Sequence, residues 1–350
     1  MSPQPAAEPI RVGIIGLGRS GWAIHAAALA AMDEYDVVAV ADPIAERRAE
    51  AEQRFGCAAY AEPDELIGDA HVELVVVATP SHTHVPLAVD ALGAGKHVIV
   101  EKPMAPSVAD LDIMTAAAEK ADRVLTSFQN ARFDPMFLAI QSVIDSGRLG
   151  ELVLIRRNLH RFARRADWQT LRKFGGGELP NTASHLIDQV LLLLDDGPLD
   201  VFADLRRTLA PGDAEDHVKL CLRAATGPTA DIESTAVVAT PQPAWMIAGT
   251  AGGLVSTPDG LHVRWHDPTT LTDLQADEGA VPGRRYGLDE QIEWHTETID
   301  VEPPGAERNT RYYHALARTL RHGADLHVTP ASVRRQIQTI ESARQLTGFH

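Results

Sequence analysis

Residues 12–21 read VGIIGLGRSG and continue into the alanine-rich run WAIHAAALAA of residues 22–31. The apolar start predicts a buried strand and the alanine-rich run predicts a helix, with glycines between them at Gly-x-Gly-x-x-Gly spacing. The first glycine permits a sharp turn, the second lets the backbone approach a pyrophosphate, and the third lets the helix pack closely on the strand. A phosphate would lie at the positive end of that helix. The turn therefore predicts dinucleotide binding, with contacts from Gly16, Gly18, Arg19, Ser20 and Gly21.

Short apolar strands alternate with helices after this turn. Such alternation is typical of a parallel, doubly wound sheet, which binds its ligands at the carboxyl ends of its strands. We therefore expect a doubly wound sheet in the first part of the chain. The predicted strands are 37–41, 58–60, 73–78, 96–100 and 123–127, and the predicted helices are 45–55 and 85–92.

Asp42 follows the second predicted strand and lies 21 residues beyond Gly21. A carboxylate at this spacing accepts the hydroxyl groups of the adenosine ribose, and its charge repels the additional phosphate of NADP. NAD is therefore the favoured cofactor. Arg47, a predicted cofactor contact, and Arg48 keep NADP possible. A role for Asp42 as a cap of the next helix is the structural alternative.

Polar residues follow the strand predicted at 73–78. Thr79 and Pro80 come directly after it, and we expect them to contact the cofactor together with His84. His82 and His84 have no carboxylate or cysteine nearby, so a structural role or cofactor contact is favoured over metal ligation. No metal site is predicted.

Glu101, Lys102 and Pro103 follow the next strand. The fixed φ of the proline holds the chain at the carboxyl end of the sheet, so Lys102 is expected to point into the same crevice as the glycine turn. A solvated lysine is the structural alternative, because most lysines are exposed. Glu101 and Lys102 are predicted cofactor contacts.

The composition is that of a soluble protein with two lobes. The chain of 350 residues is long enough for two cores, and its net charge of −16 disfavours nucleic-acid binding. No apolar run is long enough to cross a bilayer, and residues 1–9 predict a short disordered leader. Cys57 and Cys221 fall in different predicted lobes, which argues against a disulfide and favours a cytoplasmic location.

A basic stretch between residues 156 and 173 stands out from this acidic background. A solvated surface strand and loop would explain it, and the alternative is attraction of an anionic cofactor or substrate, such as a sugar acid or a nucleotide-linked sugar. Its cationic residues are Arg156, Arg157, Arg161, Arg164, Arg165, Arg172 and Lys173.

The motifs together resemble the glucose-fructose oxidoreductase, inositol dehydrogenase and rhizopine-catabolism (Gfo/Idh/MocA) family. The resemblance covers nearly the whole chain and implies an α/β fold, with an N-terminal Rossmann domain and a C-terminal α+β domain that carries a large, mostly antiparallel, open-faced sheet. It implies NAD(P)-dependent oxidation or reduction of a sugar, a cyclic polyol or a related carbonyl compound. It rests on the glycine turn, on Thr79-Pro80 with His84, on the family-specific triplet Glu101-Lys102-Pro103, and on Gly175-Gly176-Gly177 leading to His185 and Asp188.

The resemblance places the Rossmann domain at residues 1–128 and a substrate-binding and oligomerisation domain at 129–350. In the family a similar stretch lines the cleft around Asn130 and Arg132, which implies a cofactor contact from the first and a substrate contact from the second, although linker caps explain both equally well. An aromatic residue at the position of Trp168 can cover the cofactor ribose. The free face of the second sheet usually makes subunit contacts, which implies a homodimer or homotetramer.

Alternating apolar residues in the second domain predict the strands of this sheet. A helix is expected at 136–146, and closing helices follow at the end of the chain. The predicted strands are 151–158, 201–207, 217–224, 230–238, 245–249, 253–257, 261–265 and 292–301, with a polar loop at 267–288 and helices at 308–321 and 330–346.

A helix predicted from Pro180 to Leu194 carries the chemistry. Asn181 and His185 are four residues apart and share one face of it. We expect His185 to take a hydroxyl proton as general base, Lys102 to hydrogen-bond the same substrate oxygen, and Asn181 to orient a substrate hydroxyl.

Family members commonly have an aspartate where this chain has Asn181. An amide cannot take a proton, so the acid–base work shifts to His185. The departure leaves room for a second hypothesis, in which the chain is a cofactor-sensing regulator without catalysis.

Overall fold

The first sheet is built from the strands that the sequence predicts around the glycine turn. The computed structural model describes residues 8–276, 278–279, 290–303 and 305–349. Its first sheet has six parallel strands in the order β3-β2-β1-β4-β5-β6, which confirms the doubly wound arrangement. They are β1 (Ile10–Ile15), β2 (Tyr35–Ala41), β3 (Ala58–Tyr60), β4 (Leu74–Val77), β5 (His97–Val100) and β6 (Leu125–Ser127).

Helices connect these strands. The first, α1, begins as a π-helical segment at Arg19–Ala26 and continues as an α-helix over Ala27–Leu29. The others are α2 (Ala45–Phe55), α3 (Pro63–Ile67), α4 (His84–Gly93) and α5 (Val108–Ala121). Because every strand runs in the same direction, the carboxyl ends of β1, β2, β4 and β5 meet at one edge of the sheet.

The second sheet has eight strands in the order β14-β13-β12-β11-β7-β10-β9-β8. Only the β7–β10 pair among them is parallel, so the sheet is mostly antiparallel, as the resemblance implies. The strands are β7 (Leu152–His160), β8 (Leu199–Arg206), β9 (His217–Ala224), β10 (Thr229–Thr235), β11 (Trp245–Gly249), β12 (Gly252–Thr257), β13 (Gly260–Trp265) and β14 (His295–Asp300).

This sheet has one covered face and one open face. Along β9, Val218, Leu220 and Leu222 are buried, whereas Lys219 and Cys221 on the other face are half-buried. The covered face packs against helices α6 (Pro135–Asp145), α7 and α9 (Pro330–Thr347) in the second core. Helix α7 consists of a π-helical segment, Leu179–Ala183, and an α-helical segment, Ser184–Leu191.

The C-terminal helix α8 (Glu307–His322) packs in the core of the first lobe. Its residues Tyr312, Tyr313 and Leu316 lie among the buried residues of the Rossmann sheet, as do Val333 and Ile337 of α9. The division at residue 128 stays a prediction, and the structure shows that the chain returns to the first lobe after it has built the second.

Several predicted boundaries differ from the observed ones. The helix expected from Pro180 to Leu194 ends at Leu191 and opens as a π-helix, and the strand expected at 230–238 ends at Thr235. The polar loop expected at 267–288 contains a 3-10 turn, Pro268–Thr270, while residues 277 and 280–289 lie outside the described residues, as do residues 1–7 of the expected leader. In the described ranges, no helix combines the length and the apolar character that a membrane span requires.

Candidate active site

The glycine turn between β1 and α1 has the shape that a dinucleotide requires. Gly16 has a φ of +91°, and a side chain there would come within 2.8 Å of the carbonyl oxygen of Ala78. A Cβ on Gly21 would lie 1.8 Å from the carbonyl oxygen of Gly16, whereas the space beside Gly18 is open. The first amides of a helix lack partners within it, so those of Arg19 and Ser20 are available to an anion. The turn therefore fits a bound pyrophosphate.

Asp42 joins the end of β2 to this turn. Its carboxylate is buried and accepts the amide of Leu17 at 2.7 Å and the amide of Ile44 at 2.9 Å. Arg47 lies 3.3 Å from the same carboxylate, and Arg48 donates to the carbonyl oxygen of Asp42 at 2.7 Å. A carboxylate has about four acceptor positions, so these bonds leave capacity for ribose hydroxyls. The contacts predicted for Asp42 and Arg47 stay predictions.

His84 ties two strand-end turns together. It is 1% exposed, and its ring nitrogens lie 3.0 Å from the carbonyl oxygen of Thr79 and 2.9 Å from that of Pro103. Burial lowers the pKa of the His84 imidazole. Because both nitrogens contact the protein, His84 holds these two turns together, and the direct cofactor contact that the sequence predicts stays a prediction. Thr79 and Pro80 lie at the sheet edge, where the hydroxyl of Thr79 bonds that of Thr83 at 2.6 Å.

Glu101 is buried directly after β5. Its Oε1 lies 3.2 Å from Nε2 of His25, and its Oε2 accepts the backbone N–H of Lys102 at 2.9 Å. Burial raises the pKa of the Glu101 carboxyl, but the hydrogen bond from His25 and the nearby Lys102 ammonium outweigh it and hold this pKa at about 2. Glu101 is thus an anion that makes two hydrogen bonds inside the protein, and its predicted contact with the cofactor stays a prediction.

Lys102 reaches from the first lobe to the second. Its Nζ donates to the backbone carbonyl oxygen of Asn181 at 2.8 Å. Burial lowers the pKa of Lys102, and Arg19 and Arg165 act in the same direction, while Glu101 and Glu178 oppose them. The ammonium group is therefore held at the boundary of the two lobes, beside the carboxyl end of β5.

Asn181 contributes its backbone to this site. The side chain is buried, and its amide nitrogen donates to the carbonyl oxygen of Gly177 at 2.8 Å, away from Lys102. The residue lies in the π-helical start of α7, and such segments are frequent at functional sites. The predicted role of the Asn181 amide in orienting a hydroxyl stays untested, whereas the carbonyl contact with Lys102 is one that the sequence did not indicate.

His185 lies in the following turn of α7 and is neutral. Burial lowers the pKa of its imidazole to about 3, and the positive charge of Lys102 adds to the effect. Its Nδ1 is buried and has no hydrogen-bond partner within the described part of the chain. A neutral imidazole has a ring nitrogen that can accept a proton, and the lowered pKa makes His185 a weaker base than an ordinary histidine.

Arg132 and Asn130 do not face this cleft as free ligands. The guanidinium group of Arg132 is 3% exposed and binds both carboxylate oxygens of Asp188 at 2.7 and 2.8 Å, and it also donates to the carbonyl oxygen of His327. Asn130 donates to the side chain of Asn309 at 2.7 Å. These partners give both residues structural roles, and the substrate contact predicted for Arg132 and the cofactor contact predicted for Asn130 stay predictions. Trp168 is 40% exposed at a 3-10 turn, and its cofactor contact stays a prediction.

The basic stretch does not form one patch. Successive residues of a strand face opposite sides, so Arg156 lies near Asp231 on the open face, whereas the Arg157 guanidinium covers the buried ring of Trp245 at 4.7 Å. Further along, Arg161 makes two hydrogen bonds with Glu178, and Arg165 bonds Asp167. The acidic and aromatic partners of Arg156, Arg157, Arg161 and Arg165 favour structural roles for these four cations, and attraction of an anionic ligand by the stretch stays a prediction.

A cleft of about 410 Å³, including its open mouth, lies in the second lobe. Gly177, whose carbonyl oxygen accepts the Asn181 amide, lines it, as do Arg165 and Glu178, whose charges influence the pKa of Lys102. Two arginines in its wall face three carboxylates. Its polar lining is Arg161, Arg165, Gln169, Thr170, Glu178, Glu215 and Asp216. No motif distinguishes Glu178 or Glu215 in the sequence, since each is an isolated acidic residue.

Loop 163–177 brings the two lobes into contact above the site. A Cβ on Gly175 would lie 3.1 Å from that of Ser81, and the rings of Phe174 and His82 have centroids 5.9 Å apart.

Of the residues that the structure describes, no group of three histidine, cysteine, aspartate or glutamate side chains could hold a metal ion.

Fold and site together define a dinucleotide-binding α/β protein with a lysine and a neutral histidine near the boundary of its two lobes. The model of the oxidoreductase family with an NAD-binding Rossmann fold, GFO_IDH_MocA, matches residues 10–129, and that of the GFO/IDH/MocA C-terminal domain matches residues 137–255. The chain therefore belongs to the Gfo/Idh/MocA oxidoreductase family, which confirms the resemblance.

Relatives within the family have named activities. The chain is 36% identical over 232 residues to inositol 2-dehydrogenase 1 of Saccharopolyspora erythraea, covering 64% of this chain and 66% of that protein. It is 29% identical over 348 residues to scyllo-inositol 2-dehydrogenase (NADP(+)) of Bacillus subtilis, covering 97% and 94%. The crystal structure of an NAD-binding protein from Listeria innocua superposes with a TM-score of 0.82 at 25% identity over 98% of both chains. The chain spans about 60% of the length of the first curated relatives that it matches.

Proposed function

We propose that this protein is an NAD(P)-dependent oxidoreductase that transfers a hydride between nicotinamide and a secondary alcohol or ketone of a sugar, a sugar derivative or a cyclic polyol. The observation that carries the proposal is the position of Lys102. Its half-buried side chain extends from the carboxyl end of β5, on the same sheet edge as the glycine turn, and its charge acts on the neutral imidazole of His185.

Each of these residues has a distinct task in alcohol oxidation. Lys102 donates a hydrogen bond to the substrate oxygen and stabilises the negative charge that develops on it. His185 is uncharged and accepts the hydroxyl proton, which leaves an imidazolium beside the Lys102 ammonium. When bound, the nicotinamide ring supplies the hydride acceptor or donor. In the reverse direction a protonated His185 returns the proton to the carbonyl oxygen.

Asn181 sets the direction of the lysine side chain. Its carbonyl oxygen accepts one of the three N–H groups of the ammonium, so the remaining two are free to reach a substrate oxygen. Its own side chain bonds Gly177, which fixes the turn that carries the carbonyl. An asparagine is therefore compatible with catalysis at this position.

A neutral polyol or sugar is the substrate class that the cleft in the second lobe supports best. Its charged residues are of both signs, and Arg161 is already paired with Glu178. Such a mixture of donors and acceptors matches several hydroxyl groups better than it matches a carboxylate or phosphate. The activities for which the two inositol dehydrogenase relatives are named point in the same direction.

The cofactor is proposed to be NAD, with NADP as the alternative. The buried carboxylate of Asp42 favours a free ribose hydroxyl, while Arg47 is close enough to Asp42 to turn toward a 2′-phosphate. A direct test is to mix the protein with NAD or NADP and a panel of inositols and sugars, and to follow reduced nicotinamide by absorbance. The Lys102→Met variant is the control, and turnover by that variant at the wild-type rate would contradict the proposal.

The competing proposal is a cofactor-sensing regulator without catalysis. It is motivated by Asn181, which stands where family members commonly have an aspartate. The same panel separates the two. Tight binding of cofactor without turnover of any polyol, sugar or corresponding ketone would favour the regulator.

We also propose a homodimer or homotetramer in the cytoplasm. The open face of the second sheet carries Phe202, which is 61% exposed, and it is the surface on which a second copy would pack. Cys57 and Cys221 are both free thiols, which suits a reducing compartment. Light scattering of the purified protein measures the assembly, and a monomer at micromolar concentration would refute it.

A further inference from the structure

A chain of hydrogen bonds runs through the core of the first lobe, from helix α8 to the Glu101-Lys102 turn. The hydroxyl oxygen of Tyr313 lies 2.7 Å from Nδ1 of His25, and Nε2 of His25 lies 3.2 Å from Oε1 of Glu101. The other carboxylate oxygen accepts the backbone N–H of Lys102 at 2.9 Å. His25 and Tyr313 are 0% exposed and Glu101 is 5% exposed. This hydrogen-bond chain is therefore shielded from water.

One placement of protons gives every donor in this chain an acceptor. The hydroxyl of Tyr313 donates to Nδ1 of His25, and the N–H on Nε2 donates to Glu101. Burial raises the pKa of the Tyr313 phenol well above its ordinary range, so it keeps its proton. Glu101 remains ionised and accepts from both sides. The chain thus runs in one direction, from the phenol to the carboxylate.

Aromatic packing fixes the orientation of the two rings. Phe128 lies against the His25 ring with a centroid distance of 4.2 Å, and Tyr35 meets Tyr313 edge-on at 5.2 Å. The hydroxyl of Tyr35 donates to the carbonyl oxygen of Tyr313 at 2.7 Å, which also fixes the backbone of α8. Neither ring can turn without losing a buried contact, and buried hydrogen bonds are costly to lose.

The hydrogen-bond chain connects distant parts of the sequence to the candidate active site. Tyr313 is 288 residues from His25, and His25 is 76 residues from Glu101. The carboxylate of Glu101 holds the backbone from which the Lys102 side chain extends toward Asn181. A change in the direction of the carboxylate would therefore move the ammonium group.

We propose that His25 and Tyr313 are positioning residues for Lys102, acting through the Glu101 carboxylate to aim its ammonium group at the substrate oxygen. The inference rests on the proposed function. It predicts that a hydroxyl on the C-terminal helix α8 contributes to turnover although it lies in the core, away from the substrate.

The Tyr313→Phe variant tests the inference, because it removes one hydroxyl and keeps the ring in place. The matched control is Tyr312→Phe. Tyr312 is the neighbouring residue, is 3% exposed, and donates its hydroxyl to the carbonyl oxygen of Ser127 at 3.0 Å, outside the chain. The Tyr312 hydroxyl also lies 3.3 Å from that of Thr126, so each variant loses at least one buried hydrogen bond and a decrease in thermal midpoint is expected in both.

The kinetic readout separates positioning from stability. We expect Tyr313→Phe to lower kcat for an inositol about tenfold with little change in KM or in the Kd of the cofactor, since small displacements of a catalytic group are costly. Tyr312→Phe should keep the wild-type kcat. His25→Gln, whose amide offers a donor and an acceptor, should retain more kcat than His25→Leu. Equal kcat values for the Tyr313 and Tyr312 variants would overturn the inference.

A spectroscopic readout tests the chain independently of turnover. In protein labelled with ¹³C and ¹⁵N in lysine, the side-chain signal of Lys102 is assigned by its loss in Lys102→Met. We expect this signal to shift in Tyr313→Phe and to stay unchanged in Tyr312→Phe. If the wild-type protein turns over no polyol, the proposed function fails while this shift still supports the positioning chain. A Lys102 signal that is unchanged in Tyr313→Phe overturns it.

Discussion

The ammonium group of Lys102 donates a 2.8 Å hydrogen bond to the backbone carbonyl oxygen of Asn181. The contact joins the end of β5 in the first lobe to the π-helical start of α7 in the second. Any residue at position 181 has a backbone carbonyl that can accept this bond. The contact therefore explains how a family member with asparagine at this position holds its lysine. The side chain at position 181 is thereby released from this task.

Replacing Lys102 with methionine should abolish most of the turnover. The variant removes the donor to the developing negative charge, and loss of one such donor typically lowers kcat by about 10²–10³. Because the glycine turn and Asp42 are untouched, cofactor affinity measured by calorimetry should stay near the wild-type value. Loss of cofactor binding in parallel with kcat would instead show that Lys102 serves the cofactor.

Replacing His185 with glutamine should lower kcat by about 10²–10⁴, the usual contribution of a general base. In the wild-type protein the His185 pKa of about 3 keeps the imidazole neutral throughout the neutral range. The acidic limb of kcat/KM assigned to the free enzyme should therefore lie well below pH 6.5. A limb centred near pH 6.5 that disappears in the variant would show that His185 titrates as an ordinary histidine.

The same pKa shift predicts an acid sensitivity of folding. Between the ordinary value of 6.5 and about 3, the unfolded chain binds a proton at His185 that the native chain does not bind. Stability therefore falls as the pH is lowered through this window. Urea unfolding measured at pH 7 and at pH 5 should show that the free energy of unfolding decreases less in His185→Gln than in the wild type. Equal losses would exclude a contribution from this residue.

Removing one partner of the ion pair between Arg132 and Asp188 should strongly destabilise the fold. Both side chains are almost fully buried, at 3% and 2% exposure. Asp188→Asn leaves an unpaired buried guanidinium, so we expect the free energy of unfolding to fall by about 3–5 kcal/mol. The double variant Arg132→Met, Asp188→Leu should recover much of this loss. A single variant as stable as the wild type in urea would contradict the buried pair.

Cofactor preference should depend on Asp42 and Arg47. Asp42→Ser removes the negative charge and keeps a hydroxyl acceptor for the amides of Leu17 and Ile44, so the ratio of NADP to NAD turnover should rise. Adding Arg47→Ala to this variant should lower the ratio again, because Arg47 is the cation next to the carboxylate. Arg48→Ala is the control, since Arg48 donates to backbone carbonyls. An unchanged ratio in Asp42→Ser would remove Asp42 from cofactor selection.

The structural features that the sequence predicted well are determined by residues that are close together in the sequence. Apolar strands, the glycine turn and the Glu101-Lys102-Pro103 triplet each depend on neighbouring residues, so periodicity and spacing reveal them. The alternation along β9 likewise shows which residues are buried. The role of the basic stretch could not be decided from the sequence, because this requires knowing which side of β7 each arginine faces and which acid lies opposite.

The sequence by itself determined a parallel sheet with a dinucleotide turn and a lysine at the end of β5, because these features follow from short-range pattern and from the common edge of parallel strands. Only the tertiary structure decided which partners complete the site. Asn181 meets Lys102 across 79 residues, and Tyr313 meets His25 across 288. Such pairs are made when two lobes and a returning helix pack together, and no local preference of either residue encodes the other.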